Sequence, residues 1–239
     1  MTFDEVIEKR RSNRRFDPEV EVPKEVIEKA LLHATYAANS SNMQLYEFHW
    51  VTSEDLKKQM VPACMSQGAA RTAKELIVVC GRRDLWRKRV AWHKALIDKD
   101  AEKLGEQTKS IVLRRRYYEK LMPWTYSNDG FGIFGIVRRI AAFFIGLKQP
   151  IYRAKGNTQQ KVTVHKSAAL AAQNLMMSLT AQGYDSCPME GFDEVRVRKI
   201  LGLAKGAEIT MIVAVGKGTD KGIWGPRIRV PFQEVVKVH

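Results

Sequence analysis

The chain has 239 residues, 45% of them hydrophobic, which is enough to bury a sizeable core in one globular unit, residues 1–239, with room for an inserted segment. Its three cysteines, Cys64, Cys80 and Cys187, have no paired spacing and sit beside apolar neighbours, which excludes a disulfide scaffold and points to buried thiols in a reducing, cytoplasmic compartment. Of the net charge of +14, residues 81–161 carry +12 through 19 Lys/Arg against 7 Asp/Glu, leaving +2 for the rest of the chain.

In chain order, MTFDEVIEKRR has no continuous apolar run, so it is read as part of the mature protein and neither a signal peptide nor an anchor. Thr2 is placed to cap a first helix whose Phe3, Val6, Ile7 and Arg10 recur at helical spacing and are expected to face a core. A second helix opens at Pro23 with Val26, Ile27, Ala30, Leu31 and Ala34 on one face, and NSSN at 39–42 ends it in a polar loop. YEFHWVT at 46–52 alternates in the manner of a strand; ELIVVCG at 75–81 is a continuous apolar run, expected to be a strand buried on both faces.

Residues 84–122 are charged and helical in pattern, SNDG at 127–130 marks a turn, and 131–147 reads as an amphipathic helix. With Arg138 and Arg139 at its centre this segment is a poor membrane span, since each arginine costs about 2.5–3.5 kcal/mol there. It is suited to packing on the main domain, covering a pocket, or peripheral contact with a membrane surface. Residues 164–182 form a helix with Ala168, Ala171, Leu175 and Leu179 on one stripe, fit for close packing on another helix, and Gly183 follows it. CPMEGF at 187–192 reads as a turn, 193–202 as a short helix and EITMIVAVG at 208–216 as a third strand. The tail from Gly222, broken by Gly225, Pro226 and Pro231, is expected to run extended over the surface or a neighbouring subunit.

RRSNRR at 10–15 places four arginines in six positions, and Arg227 and Arg229 alternate in an extended GPRIRVP; arginine gives bidentate geometry to a phosphate, so the two chain ends are suited to grip one anion. NSSN and Gln44 offer donors and acceptors for the edge of a polar ring, or simply terminate a helix. The histidines show no metal spacing, and no GxSxG or Walker loop is present, so no metal site and no catalytic side chain is assigned. An organic cofactor carrying redox chemistry accounts for that pattern.

RRSNRRF, ANSSNMQLYEF, PMEGF and GPRIRVPFQEVV, in that order, together resemble the FMN-dependent nitroreductase family over about residues 1–80 and 160–239, with 84–160 as a basic helical insertion. The resemblance implies an α+β fold with a central, mostly antiparallel sheet flanked by helices, and an intertwined homodimer with FMN at its interfaces. It implies that Arg10, Arg11, Ser12 and Arg14 hold the FMN phosphate and ribityl region together with Arg227 and Arg229. Asn39, Ser40 and Asn42 are implied to line the flavin from the partner subunit. Pro188, Met189, Glu190 and Gly191 are implied to border the ring, a backbone amide of Glu190 or Gly191 reaching its N5.

The activity so implied is ping-pong reduction of a small electron-poor acceptor, a nitroaromatic or quinone, with NAD(P)H as donor and the flavin carrying the chemistry. Trp86, Trp92, Trp124, Phe131 and Phe134 of the insertion are candidates for the acceptor pocket's roof, and removal of 85–155 is expected to change acceptor range while leaving FMN bound. Two alternatives stand beside this: a flavin-binding protein with little turnover, and a basic protein whose segment 81–161 engages a membrane or nucleic acid. No nucleic-acid motif accompanies the charge, so a nucleic-acid partner is not expected.

Overall fold

In the computed structural model, which describes residues 1–105, 108–127, 132–153 and 156–239, a four-stranded antiparallel sheet carries helices on both faces. Strand β1 (Tyr46–Val51) pairs with β2 (Glu75–Gly81), β2 with β4 (Glu208–Gly216) and β4 with β3 (Asp185–Met189), giving the order β1-β2-β4-β3. This is the α+β architecture expected from the sequence.

Side-chain alternation along β2 divides the core. Leu76, Val78 and Cys80 face Met60, Ala63, Cys64 and Val197 of the layer made by α3 (Glu54–Ala63), α4 (Gly68–Thr72) and α10 (Glu194–Leu201). Ile77 and Val79 face the opposite layer, α2 (Lys24–Thr35) and α9 (Asn157–Ala181). A strand covered on both sides has no solvated face, which is why ELIVVCG lacks alternation although its pairing is antiparallel. Helices α2 and α9 meet through Ala30, Ala34, Ala168, Ala171 and Ala172, all fully buried, so their backbones approach closely as the small-residue stripe implied.

Five expectations are corrected. The turn expected at 187–192 is in its first half strand β3; Pro188 is tolerated there because β3 lies at the sheet edge, where a missing N–H breaks no inner ladder. This makes the 208–216 segment the fourth strand, not the third. Helix α1 (Phe3–Lys9) has the expected Thr2 cap, completed as a capping box by Glu5, but only Val6 of its apolar stripe is buried, Phe3 and Ile7 being 73% and 41% exposed. Helix α9 begins at Asn157 instead of Val164, and the tail expected to run extended from Gly222 has Gly222 buried at the end of a 3-10 turn, is exposed from Trp224 and contains one helical turn, α11 (Phe232–Val235), behind Pro231.

The basic segment forms α5 (Trp86–Leu104), α6 (Lys109–Arg116), a π-helical turn at Tyr117–Leu121, α7 (Met122–Tyr126) and α8 (Ile133–Ile145). Of the turn expected at 127–130 only Ser127 is described, and Phe131 lies outside the described residues. Val90, Met122 and Tyr126 of this segment share a buried cluster with Met43, Leu45 and Val164. Excising 85–155 would therefore expose Met43, Leu45 and Val164, so the deletion expected to change acceptor range would also cost packing in the main domain. Among the described residues no helix is long and apolar enough to cross a membrane, and no group of three His, Cys, Asp or Glu residues is placed to hold a metal.

Candidate functional site

The N-terminal arginine loop is held against β3 and the segment after β4. Ser12 forms an isolated parallel bridge with Ser186, Asn13 donates from its amide to the Ser186 carbonyl at 3.2 Å, and Arg14 donates from its amide to the Gly222 carbonyl at 2.8 Å. The buried Asn13 side chain locks the two segments: its Nδ2 donates to Thr219 O at 3.0 Å and its Oδ1 accepts from Arg15 N at 3.1 Å. That approach leaves no room for side chains opposite it. A Cβ on Gly218 would lie 2.1 Å from Asn13 Nδ2, and one on Gly222 only 1.7 Å from Asn13 Oδ1.

The tail arginines join this loop. Arg227 donates from Nη2 to the carbonyls of Ile7, Glu8 and Arg10 at 3.3, 2.7 and 3.0 Å, capping the end of α1, where the carbonyls lack helical partners. Arg11 donates to Gly225 O at 2.9 Å, and the Arg14 guanidinium lies 4.4 Å from the centroid of the Trp224 ring. Burial, then the guanidinium groups of Arg227, Arg229 and Arg11, push the pKa of Arg10 below its ordinary value. Among the described residues, Arg10, Arg11, Arg14, Arg227 and Arg229 make no ion pair with a carboxylate. The result is a cationic cluster, half-buried at Arg10, Arg11 and Arg14 and exposed at Arg227 and Arg229, without a carboxylate counter-charge among the described residues.

Strand β3 leads from this cluster to the second predicted group. Cys187, flanked electrostatically by Arg14 and Arg10, and Met189 are buried, Pro188 and Gly191 are half-buried, and Glu190 is exposed. The turn after Met189 is held by Gln67, a residue the sequence reading missed: its Nε2 donates to Gly191 O at 2.6 Å and to Cys64 O at 3.1 Å. Gln67 follows Met65 and Ser66, both in the left-handed region at φ +55° and +50°, an arrangement that costs non-glycine residues energy and often marks sites.

The NSSN loop is shaped by other neighbours. Asn39 uses both ends of its amide within the loop: Oδ1 accepts from Gln44 N at 2.8 Å and Nδ2 donates to Ala37 O at 3.2 Å. Ser41, Asn42 and Gln44 all have left-handed backbones, with φ of +56°, +49° and +47°. The loop is then clamped by the basic segment. Ser41 Oγ is 2.6 Å from Tyr117 Oη, Tyr118 Oη donates to Ser41 O at 3.1 Å, and His93 Nε2 lies 2.8 Å from Asn42 O. A carbonyl only accepts, so His93 carries its proton on Nε2; its ring stacks on Tyr118 at 4.1 Å between centroids. Burial, above all, pushes the His93 pKa below its ordinary value. Ser40 and Asn42 remain exposed.

A cavity of about 270 Å³ opens beside the loop between Ser40, Ser41, Tyr117, Tyr126, Tyr152 and Thr163. It shares Tyr117 and Leu121 with a second cavity of about 480 Å³, which in turn shares Lys120 and Trp124 with one of about 310 Å³ beneath Phe134 and Val137 of α8. Of the residues proposed as a pocket roof, Trp124 and Phe134 line these spaces, and Trp92 lines another beside His93.

The remaining nucleophiles and bases are structural. The thiols of Cys64 and Cys80 are pushed up by burial to about 11 and about 12, and Cys187 is raised for the same reason, so none is a thiolate near neutrality. His165 bonds Thr210 Oγ1 at 2.8 Å and lies 3.4 Å from Glu208, tying α9 to β4.

The family model described as the nitroreductase family matches residues 7–217. Protein DrgA of Synechocystis is 28% identical over 219 residues, covering 92% of this chain and 85% of DrgA. The oxygen-insensitive NADPH nitroreductase of Helicobacter pylori strain J99 is 23% identical over 217 residues, covering 89% and 86% of the two chains. Among solved structures, a protein from Exiguobacterium sibiricum assigned to the nitroreductases and crystallised with FMN aligns with a TM-score of 0.71 at 24% identity, covering 100% of this chain and 98% of that one. The fold is thus shared across the whole chain.

Proposed function

Because the chain belongs to the nitroreductase family, we propose that it is an NAD(P)H-dependent oxidoreductase that holds FMN on its arginine cluster. It reduces a small electron-poor acceptor, such as a nitroaromatic or a quinone, by a ping-pong mechanism. The observation that carries this reading is the convergence of Arg10, Arg11, Arg14, Arg227 and Arg229 without a carboxylate counter-charge among the described residues, the charge of Arg10 being disfavoured first by burial and then by its cationic neighbours. A phosphate dianion relieves that repulsion, and the guanidinium groups supply charge-assisted donors to its oxygens.

FMN held there would supply the two-electron chemistry that couples the nicotinamide donor to the acceptor. The protein's part is to bind and orient. Ser12 and the arginines sit beside Ser186; from there β3 runs about 10 Å to Met189, leaving room for a phosphate at one end and a ring at the Pro188–Gly191 end. Gln67 fixes the Gly191 carbonyl and so the turn from which a Glu190 or Gly191 amide donates to the ring edge. Asn39 keeps the NSSN loop closed, and the exposed Ser40 and Asn42 form its outward polar edge.

In this reading the protein is an intertwined homodimer, and Ser40 and Asn42 serve the flavin held by the partner's arginines. The exposed apolar residues Phe3, Ile7, Trp224, Ile228, Phe232 and Val235 along α1 and the tail support such a subunit contact. Tyr117, Tyr126 and the aromatic-lined spaces beyond them form the acceptor side. Initial rates measured at several fixed acceptor concentrations test the mechanism: parallel double-reciprocal lines are expected, and intersecting lines would show a ternary complex instead.

A further inference from the structure

Helix α8 is inside out. Its inward positions are Arg138 and Ala142, both buried, while Ile133, Phe134, Ile136, Val137, Ile140, Phe143, Phe144 and Ile145 are 40–62% exposed. Arg138 is used structurally, donating from Nη1 to the carbonyls of Trp124 and Ser127 at 3.0 and 2.6 Å at the end of α7. At 100° per residue the exposed apolar positions cover an arc of roughly 200°, the opposite of a helix that packs its apolar stripe on a core. Trp124 and Leu147, 46% and 69% exposed, extend the same surface.

Charge decides what covers it. Between Glu119 and Asp185 the sequence has a single acid, Asp129, whereas Lys120, Arg139, Lys148 and Arg153 lie on or next to this helix. Arg139 and Lys148 are exposed. A second copy docking through the same face about a two-fold axis would bring these cations against their own images, which disfavours self-association there. An apolar face with a cationic, acid-poor border matches a bilayer surface carrying anionic headgroups, with Trp124 at interfacial depth. The 13 residues of α8 span about 20 Å, too short for the hydrocarbon core of about 30 Å, so the helix would lie in the plane of the interface.

We propose that α8 is a peripheral membrane-binding helix that seats the protein on anionic lipid. Cosedimentation of the purified full-length protein with vesicles of phosphatidylcholine alone, or of equimolar phosphatidylcholine and phosphatidylglycerol, tests this without reference to flavin turnover. The protein is expected to pellet with the anionic vesicles only, and less at high salt. Ile140→Glu with Phe144→Glu, both on the outer face, should lower vesicle affinity at least tenfold, and Arg139→Glu with Lys148→Glu should abolish the preference for anionic lipid. Wild-type protein that stays in the supernatant with both vesicle types would overturn the proposal. So would an α8 variant that lowers the oligomeric mass of the protein while vesicle binding is nil, because the face would then belong to a second copy.

Discussion

Arg227, near the C-terminus, donates from Nη2 to the main-chain oxygen of Arg10 at 3.0 Å, so the last arginine pair of the chain is built onto the first. Arg10, Arg11, Arg227 and Arg229 gather there because two backbone segments far apart in sequence are joined by hydrogen bonds that offset the repulsion of their side chains.

Replacing Arg10 or Arg229 with alanine removes one charge-assisted contact of about 1.5–3 kcal/mol, so the Kd for FMN should rise about 10- to 150-fold in a flavin fluorescence titration. Arg227→Ala should in addition lower the melting temperature, since the last carbonyls of α1 lose their partner. Unchanged FMN affinity in both Arg10→Ala and Arg229→Ala would move the phosphate elsewhere.

Gly222→Ala tests the joint between the two segments. Its Cβ would fall on Asn13 Oδ1, and the clash is with a buried side chain that already has two hydrogen bonds. Stability should fall by about 1–3 kcal/mol and FMN affinity should fall with it. Asn13→Ala should reproduce both effects by removing the lock itself.

Tyr117→Phe removes the 2.6 Å hydrogen bond to Ser41 Oγ and leaves the ring in place. Because this bond holds the NSSN loop, whose Ser40 and Asn42 serve the flavin in this reading, beside the cavity, the acceptor KM and the Kd for FMN should both rise several-fold. Unchanged values of both would mean that the loop serves neither the cofactor nor the acceptor.

His93 makes stability sensitive to acid. Its folded pKa lies below the ordinary 6.5, chiefly through burial and also through Arg114 and Arg89, while Asn42 O offsets part of the shift. Below pH about 6.5 the unfolded chain takes up a proton that the folded chain refuses, so the full stability present above that pH is lost as pH falls. His49, lowered by burial, acts in the same direction. His93→Gln should make the fall in unfolding free energy below pH 6.5 shallower; an unaltered slope would assign the acid sensitivity elsewhere.

Ala171→Leu would force three extra carbons between α2 and α9, where Ala30, Ala34, Ala168 and Ala172 are fully buried. A loss of about 1–3 kcal/mol is expected in chemical unfolding.

Much of this was legible in the sequence where the local signal and the tertiary environment agree. ELIVVCG reads as a doubly covered strand and is one; the alanine stripe of α9 announces a close helix contact and makes it with α2. The reading failed where a long-range partner decides the outcome. Pro188 signals a turn unless one knows that β4 takes the inner position and leaves β3 at the edge. Phe3 and Ile7 mark a helical face without saying whether the same chain covers it, and α8 has the pattern of a core-packing helix although its buried positions are Arg138 and Ala142. In the site, the arginines stood out by composition, and residues 188–191 only through the family resemblance. Asn13, Gln67 and His93 did not, because each acts through a backbone contact with a residue distant in sequence.

The absorbance spectrum of the purified protein, recorded before and after anaerobic addition of NADPH, tests the central claim most directly. The account predicts oxidised-flavin bands that bleach on addition and return with an electron-poor acceptor. A colourless protein that also fails to take up added FMN would contradict it.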